Sequence, residues 1–279
     1  MKIGISSLCL FKEPFEKLIK SMRKTESVKI WELVDDGLHK LNLVRVKKLK
    51  ELGLKYTGHG PFADVNTAAF SNNLRRVFKR IYERSLNYAY RLSSEVWVLH
   101  AGIRTGLNFF FPEDIWSKNR EFIKFLADRA EDYGIMIAIE NLINGGLIRT
   151  ASEVIRLLRE INSQNLAICL DIGHLNVINR GKIINDVKRL IDNVIELHVH
   201  DNDGKTDQHL RVGSGGVRWE KIFEYLRRRD YNGYIIIENY SLSDSLASLK
   251  EVLRLTAVSY THLRAHETSL HLVCRLLLE

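Results

Sequence analysis

The stretch HVHDNDGKTDQHLRVG, residues 198–213, places three histidines and three aspartates within sixteen positions, directly after an apolar run. Imidazoles and carboxylates at this density act as metal ligands or proton-transfer groups where they converge, and form an ordinary solvated loop where they do not. Comparable groups stand elsewhere at the ends of apolar segments: His59, His100, Glu140, Asp171, His174 and Glu238. Taken singly, a histidine at such a position is more often a hydrogen-bonded polar residue than a ligand. Glu140 and Glu238 are harder to dismiss, because both occur as Ile-Glu-Asn after four apolar positions and so emerge from otherwise buried strands. An unpaired carboxylate there is costly, and a divalent cation held between carboxylates and imidazoles offsets the cost. Manganese, magnesium, cobalt and zinc all suit mixed ligation of this kind.

Placing these residues together requires a scaffold that brings strand ends to one face. Short apolar runs alternate with longer amphipathic segments along the chain. The predicted strands are 2–8, 28–34, 54–60, 95–102, 135–142, 166–174, 194–201 and 233–240, each followed by a helix pattern such as PEDIWSKNREFIKFLADRAEDY or WEKIFEYLRRR. Strict alternation predicts parallel strands with helical crossovers, closing as an α/β (β/α)8 TIM barrel in a single domain over residues 1–257. An open doubly wound sheet alternates in the same way and is the second choice. Pro112 with two acidic neighbours, the Thr150–Glu153 spacing of a capping box, and Gly53, Gly134 and Gly233 mark helix boundaries. In a barrel the C-terminal strand ends share one mouth. His59, His100, Glu140, Asp171, His174, His198 and Glu238 gather there, and the loop after the seventh strand adds Asp207 and His209. His200, two positions after His198, falls on the same strand face, nearer the mouth.

The 279 residues, 45% hydrophobic and 27% charged, have the composition of a soluble globular protein, with no apolar run long enough for a membrane span. The start MKIGISSLCLFKEPF is too soon interrupted by charge for a secretory signal, so a cytoplasmic protein is expected. Cys9 and Cys169 read as buried, inert thiols. The net charge of +8 lies largely in solvated helix faces such as RVKKLKEL and YLRRRD. Residues 258–279, VSYTHLRAHETSLHLVCRLLLE, lack glycine, carry His262, His266, His271 and Cys274, and resemble a translated sequencing-adapter sequence. They are read as a non-native tail.

The strand ends GHGP, LHAG, IEN, LDIGH, LHVHDNDG, DQHLRVGSGGVRW and IIIEN resemble the xylose isomerase-like barrel superfamily. It includes sugar-phosphate isomerases and epimerases and the endonuclease IV type of abasic-site nuclease. The resemblance implies that Glu140, Asp171, His198 and Glu238 hold one divalent metal, as in the sugar epimerase branch. His59, His100, His174, Asp207 and His209 match the further ligands with which the nuclease branch holds three zinc ions. The implied activity is isomerisation or epimerisation of a sugar or sugar phosphate, by proton transfer or a hydride shift, with Glu140 and Glu238 as the acid/base pair. His59, His100, His174, His209 and Arg211 are then substrate contacts, with Lys205 a further candidate for a phosphate or carboxylate. Phe11, Phe62 and Trp116 are candidates to wall the pocket.

The nuclease reading is the first alternative, and the full ligand set and the net charge favour it. Against it, ENLINGG, DIGHLN and ISSLCLF depart from the nuclease patterns, and no basic-aromatic loop suits a DNA minor groove, so nucleic acid is not the expected partner. A non-catalytic carbohydrate- or metal-binding barrel and a polyol dehydratase complete the alternatives. A small-molecule substrate and a homo-oligomer are expected.

Overall fold

Side chains along a strand point alternately to its two faces, and in this chain the two sets differ in kind. The computed structural model describes residues 1–143 and 145–257; the tail 258–279 lies outside the described residues. Its strands are β1 (Lys2–Ser6), β2 (Ile30–Val34), β3 (Lys55–His59), β4 (Val96–His100), β5 (Met136–Glu140), β6 (Leu166–Asp171), β7 (Val194–Val199) and β8 (Tyr234–Ile237). Each pairs in parallel with the next and β8 with β1, closing the predicted eight-stranded barrel. One set of positions, including Trp31, Leu33, Trp97, Leu99, Ile137, Ile139, Leu197 and Ile235, belongs to the large apolar core shared with the helices. The alternate set forms a second, small cluster of Val96, Val98, Ala138, Cys169, Tyr234 and Ile236. Two residues further along the same strands, this inner face turns into His100, Glu140, Asp171 and Glu238. Strand period and barrel closure therefore aim these groups at one mouth.

Among the described residues the helices are α1 (Phe15–Lys24), α2 (Leu43–Lys50), α3 (Asn72–Arg91), α4 (Pro112–Tyr133), α5 (Ala151–Ile161), α6 (Ile172–Ile178), α7 (Ile183–Leu190), α8 (Trp219–Arg228) and α9 (Leu242–Ala257). Pro112 is the first residue of α4, Gly134 ends it with φ of 64°, and Thr150 and Glu153 form the reciprocal capping box of α5. The strands are shorter than their apolar runs suggest, and the predicted strand 166–174 stops at Asp171. There the carboxylate accepts from His174 N at 2.6 Å and caps α6, so His174 sits on a first helical turn and not on a strand. No helix among the described residues is long and apolar enough to cross a membrane.

The loop from β7 to α8 is pinned by one buried carboxylate. Asp201 accepts from Asn202 N, Val217 N, Gly213 N and Trp219 Nε1 at 2.9–3.2 Å. Its backbone also pairs with Leu210 in both directions, fixing the segment that carries Asp207 and His209. Asp201→Ala strands several buried donors and is expected to cost about 3 kcal/mol. Urea unfolding monitored by tryptophan fluorescence checks this; a change within 0.5 kcal/mol, the ordinary range for a surface substitution, would show that the loop holds itself.

Candidate metal and active site

The two Ile-Glu-Asn segments are more than carriers of glutamate, because each asparagine locks a neighbouring strand end. Asn141 accepts from Asp171 N at 2.8 Å and donates to Asp171 O at 3.0 Å, tying the end of β5 to that of β6. Asn239 donates to His209 O and Leu210 O at 2.9 and 2.8 Å, tying the end of β8 to the loop after β7. Glu140 and Glu238 are thereby set beside Asp171 and His198. The candidate ligand atoms of these four buried residues all lie within 4.8 Å of one another. His198 Nδ1 stands 3.4 Å from Glu238 Oε2 and 3.6 Å from Glu140 Oε1, and it has no hydrogen-bond partner. Among the described residues no lysine or arginine pairs with any of these carboxylates. Three acidic oxygens, an imidazole lone pair and no basic side chain form a donor set that fits a divalent cation.

Two further groups flank this centre. On one side His59 Nε2 and His100 Nε2 lie 3.4 and 2.9 Å from Glu140 Oε2. On the other, His174, His200, Asp207 and His209 form a second compact set of potential ligands. Asp207 Oδ2 is 3.0 Å from His209 Nε2 and 3.4 Å from His174 Nε2. His200 links this set to the centre, with Nε2 3.2 Å from Asp171 Oδ2 and its ring stacked 3.8 Å from that of His209. Gly173 makes room for it, since a Cβ there would lie 2.0 Å from His200 Cε1. His209 has φ of 47°, an uncommon backbone conformation for a side-chain-bearing residue, held by the two Asn239 bonds and by its own Nδ1 against Glu238 O at 2.7 Å.

The structure thus brings together all nine sequence-expected ligand types and adds His200 to them. Phe11 and Phe62 stack at 6.1 Å, and Phe62 lies 5.4 Å from His59 and 5.1 Å from His100, at the edge of the cluster. Trp116 is placed elsewhere: it is buried near α5, donating Nε1 to Glu160 Oε2 at 2.8 Å under the Arg156 guanidinium, so it packs α4 against α5. Arg211 is not brought into the cluster either; it is exposed and engaged with Asp244 of α9. Lys205 is exposed. Tyr240, with its ring 4.5 Å from His209, is an aromatic neighbour that sequence reading did not single out.

Two more buried acids were also missed. Glu32 of β2 and Glu196 of β7 are fully buried and approach His198 Nε2 at 3.0 and 3.3 Å, from the side away from the four-residue centre. Their signal was an acidic residue in mid-strand, with Glu196 two positions before His198 and therefore on its face.

The electrostatics follow from this packing. Burial alone would raise the Glu140 carboxyl, but the charges and hydrogen bonds of His100 and His198 hold it well below the usual range. Burial opposes protonation of His59, yet the Glu140 hydrogen bond and the charges of Glu32, Glu140 and Glu238 lift it to about 9. His174 is lifted against burial to about 10 by Asp171, Asp207 and Glu140. Glu196 is pushed up to about 8, first by burial and also by Glu32. Without metal, the imidazoles hold protons more tightly folded than unfolded. Their stabilisation is complete below the free-imidazole value near 6.5 and is lost as pH rises through about 9 for His59 and about 10 for His174. The midpoint of thermal unfolding of chelator-treated protein is accordingly expected to fall progressively from about pH 6.5 to about pH 10. A midpoint that rises over that interval contradicts the assignment.

The description "Xylose isomerase-like TIM barrel" matches residues 34–257. The uncharacterized protein MJ1311 of Methanocaldococcus jannaschii is 34% identical over 263 residues, covering 91% of this chain and 88% of that protein. A D-psicose 3-epimerase of Ruminiclostridium cellulolyticum is 25% identical over 194 residues, 66% of this chain and 62% of the relative. The crystal structure of a D-tagatose 3-epimerase-like protein superimposes with a TM-score of 0.85 at 32% identity, covering 92% of this chain and 98% of the other. The matched residues include every strand from β3 to β8 and all nine expected ligands with His200 and Glu196, while Glu32 of β2 lies just before them. The chain belongs to the xylose isomerase-like TIM barrel family.

Proposed function

We propose that the protein is a divalent-metal-dependent sugar isomerase or epimerase whose reaction is proton transfer at the carbon beside a carbonyl. One observation carries the reading: Glu140, Asp171, His198 and Glu238 converge, buried, with no lysine or arginine among the described residues to neutralise them. The similarity to D-psicose 3-epimerase and to a D-tagatose 3-epimerase-like protein supports it. Held by these four residues, a divalent cation supplies Lewis-acid polarisation of a hydroxy-carbonyl group. The protein's own part is acid/base chemistry. Glu140 ends β5 and Glu238 follows β8, so the two carboxylates enter from different strands. One carboxylate takes the proton from carbon and the other, as the carboxylic acid, delivers a proton to the opposite face, inverting that centre. His59, His100, His174 and His209 orient substrate hydroxyls, and Phe11 and Phe62 restrict water at the edge of the site. The substrate is a small sugar or sugar phosphate. A phosphate would need a cation other than Arg211, which Asp244 already engages.

A second reading has its own observation. His59 and His100 with Glu140, and His174, His200, Asp207 and His209, are two additional sets with ligand-type geometry, as a trinuclear zinc site of an abasic-site nuclease would need. Metal stoichiometry separates the two. Elemental analysis of untagged protein after brief chelation is expected to give one metal per chain, lost in Asp171→Ala. With D-psicose, D-tagatose and D-fructose as probes, Glu140→Gln and Glu238→Gln are each expected to lower epimerisation about 10²–10⁴-fold. Three zinc ions per chain with no turnover of any ketose would reverse the order of the readings and make abasic DNA the first substrate to test.

A further inference from the structure

His198 is gripped from both ends. Its Nδ1 faces Glu238, Glu140 and Asp171 at 3.4, 3.6 and 4.0 Å, while its Nε2 faces Glu32 Oε2 at 3.0 Å and Glu196 Oε1 at 3.3 Å. All five acids are buried, and among the described residues neither Glu32 nor Glu196 pairs with a lysine or arginine. Glu32 comes from β2, a strand that supplies no other group to the cluster and is separated from β7 around the barrel by β8 and β1. Among the described residues a carboxylate placed there pairs with no lysine or arginine and caps no helix. Its contact with the cluster is the Nε2 edge of one imidazole, and its second oxygen, Oε1, has no hydrogen-bond partner.

A neutral imidazole carries one ring proton, and a hydrogen bond to one nitrogen decides which nitrogen keeps the lone pair. A carboxylate accepting from Nε2–H fixes the tautomer whose lone pair points from Nδ1 into the centre, and it makes that nitrogen a stronger donor. We infer that Glu32 is the positioning residue of the candidate metal centre, acting through His198 to set its tautomer, its ring orientation and its strength as a ligand. Glu32 is preferred to Glu196 by the shorter contact, 3.0 against 3.3 Å, and because it reaches His198 from a separate strand and so holds the ring against rotation.

The inference rests on the proposal that a divalent cation occupies the centre formed by Glu140, Asp171, His198 and Glu238, and the test keeps the two apart. Mn²⁺ binding to chelator-treated full-length protein is measured by titration calorimetry for the parent and for Glu32→Gln, together with thermal unfolding of both without metal. The expected result is a Mn²⁺ affinity about 10–100-fold weaker in the variant, measured well below its metal-free unfolding midpoint so that the protein is folded throughout. The midpoint itself is expected to fall, because removing one member of the buried Glu32–His198 pair leaves the other without its partner. A residue with a merely structural role lowers that midpoint while affinity stays within about threefold of the parent, and that overturns the inference. A parent that binds no Mn²⁺, Zn²⁺ or Co²⁺ overturns the metal reading itself. If Glu32→Gln does not yield folded protein, Glu32→Asp keeps the charge but withdraws the acceptor by one methylene. It is expected to weaken Mn²⁺ at least about threefold, and unchanged affinity there also overturns the inference.

Discussion

A buried cluster of acids and imidazoles, paired with no lysine or arginine among the described residues, is the constraint from which the rest of this structure follows. Glu140, Asp171, Glu238, Glu32 and Glu196 surround His198 in the water-excluded interior of the barrel. In metal-free protein the charge is balanced by protons, which is why His59 and His174 sit well above the ordinary imidazole range. A divalent cation bound there, as proposed, would take the place of those protons, so its uptake would release them. The cluster is unfavourable for an isolated fold. Its presence is better explained by chemistry at the strand ends than by packing.

The barrel supports such a cluster because its two strand faces are assigned different tasks. The outward face joins the large apolar core with the helices, so most of the apolar burial that stabilises the fold lies outside the inward face. The inward face is mostly apolar in its lower part, where Glu196 stands level with Cys169 and Tyr234, and gives way near the mouth to histidine and acid on neighbouring strands. Precision then comes from small polar ties. Asn141 couples β5 to β6, Asn239 couples β8 to the loop after β7, and Asp201 holds that loop at both ends. These ties also sustain the left-handed backbone of His209, which a free loop would relax.

Much of this was legible in the sequence for a physical reason. Period-2 apolar runs alternating with amphipathic helices leave few architectures open, and strand direction then predicts where Glu140, Asp171, His198 and Glu238 must meet. Legibility failed where a residue's meaning depends on a partner distant in sequence. Glu32 lies 166 residues from His198, and nothing in VKIWELV states what its carboxylate faces. The LDIGH segment was mistaken for strand throughout because its apolar residues hide the turn that Asp171 initiates by capping α6. Trp116 lies near the start of α4, and only the structure shows its indole directed to Glu160. Arg211 lies in a loop rich in site residues, but a loop arginine takes the nearest exposed acid, here Asp244.

The closed lower half of the barrel bears on traffic as well as on stability. Below Glu140, Asp171 and Glu238, the side chains of Val96, Val98, Ala138, Cys169, Tyr234 and Ile236 fill the interior beside Glu196, and Tyr234, Glu95 and Lys2 are hydrogen-bonded to one another near the floor. If an ion is held there as proposed, ion and sugar would share the mouth as their way in, and a seated sugar would cork the ion's exit.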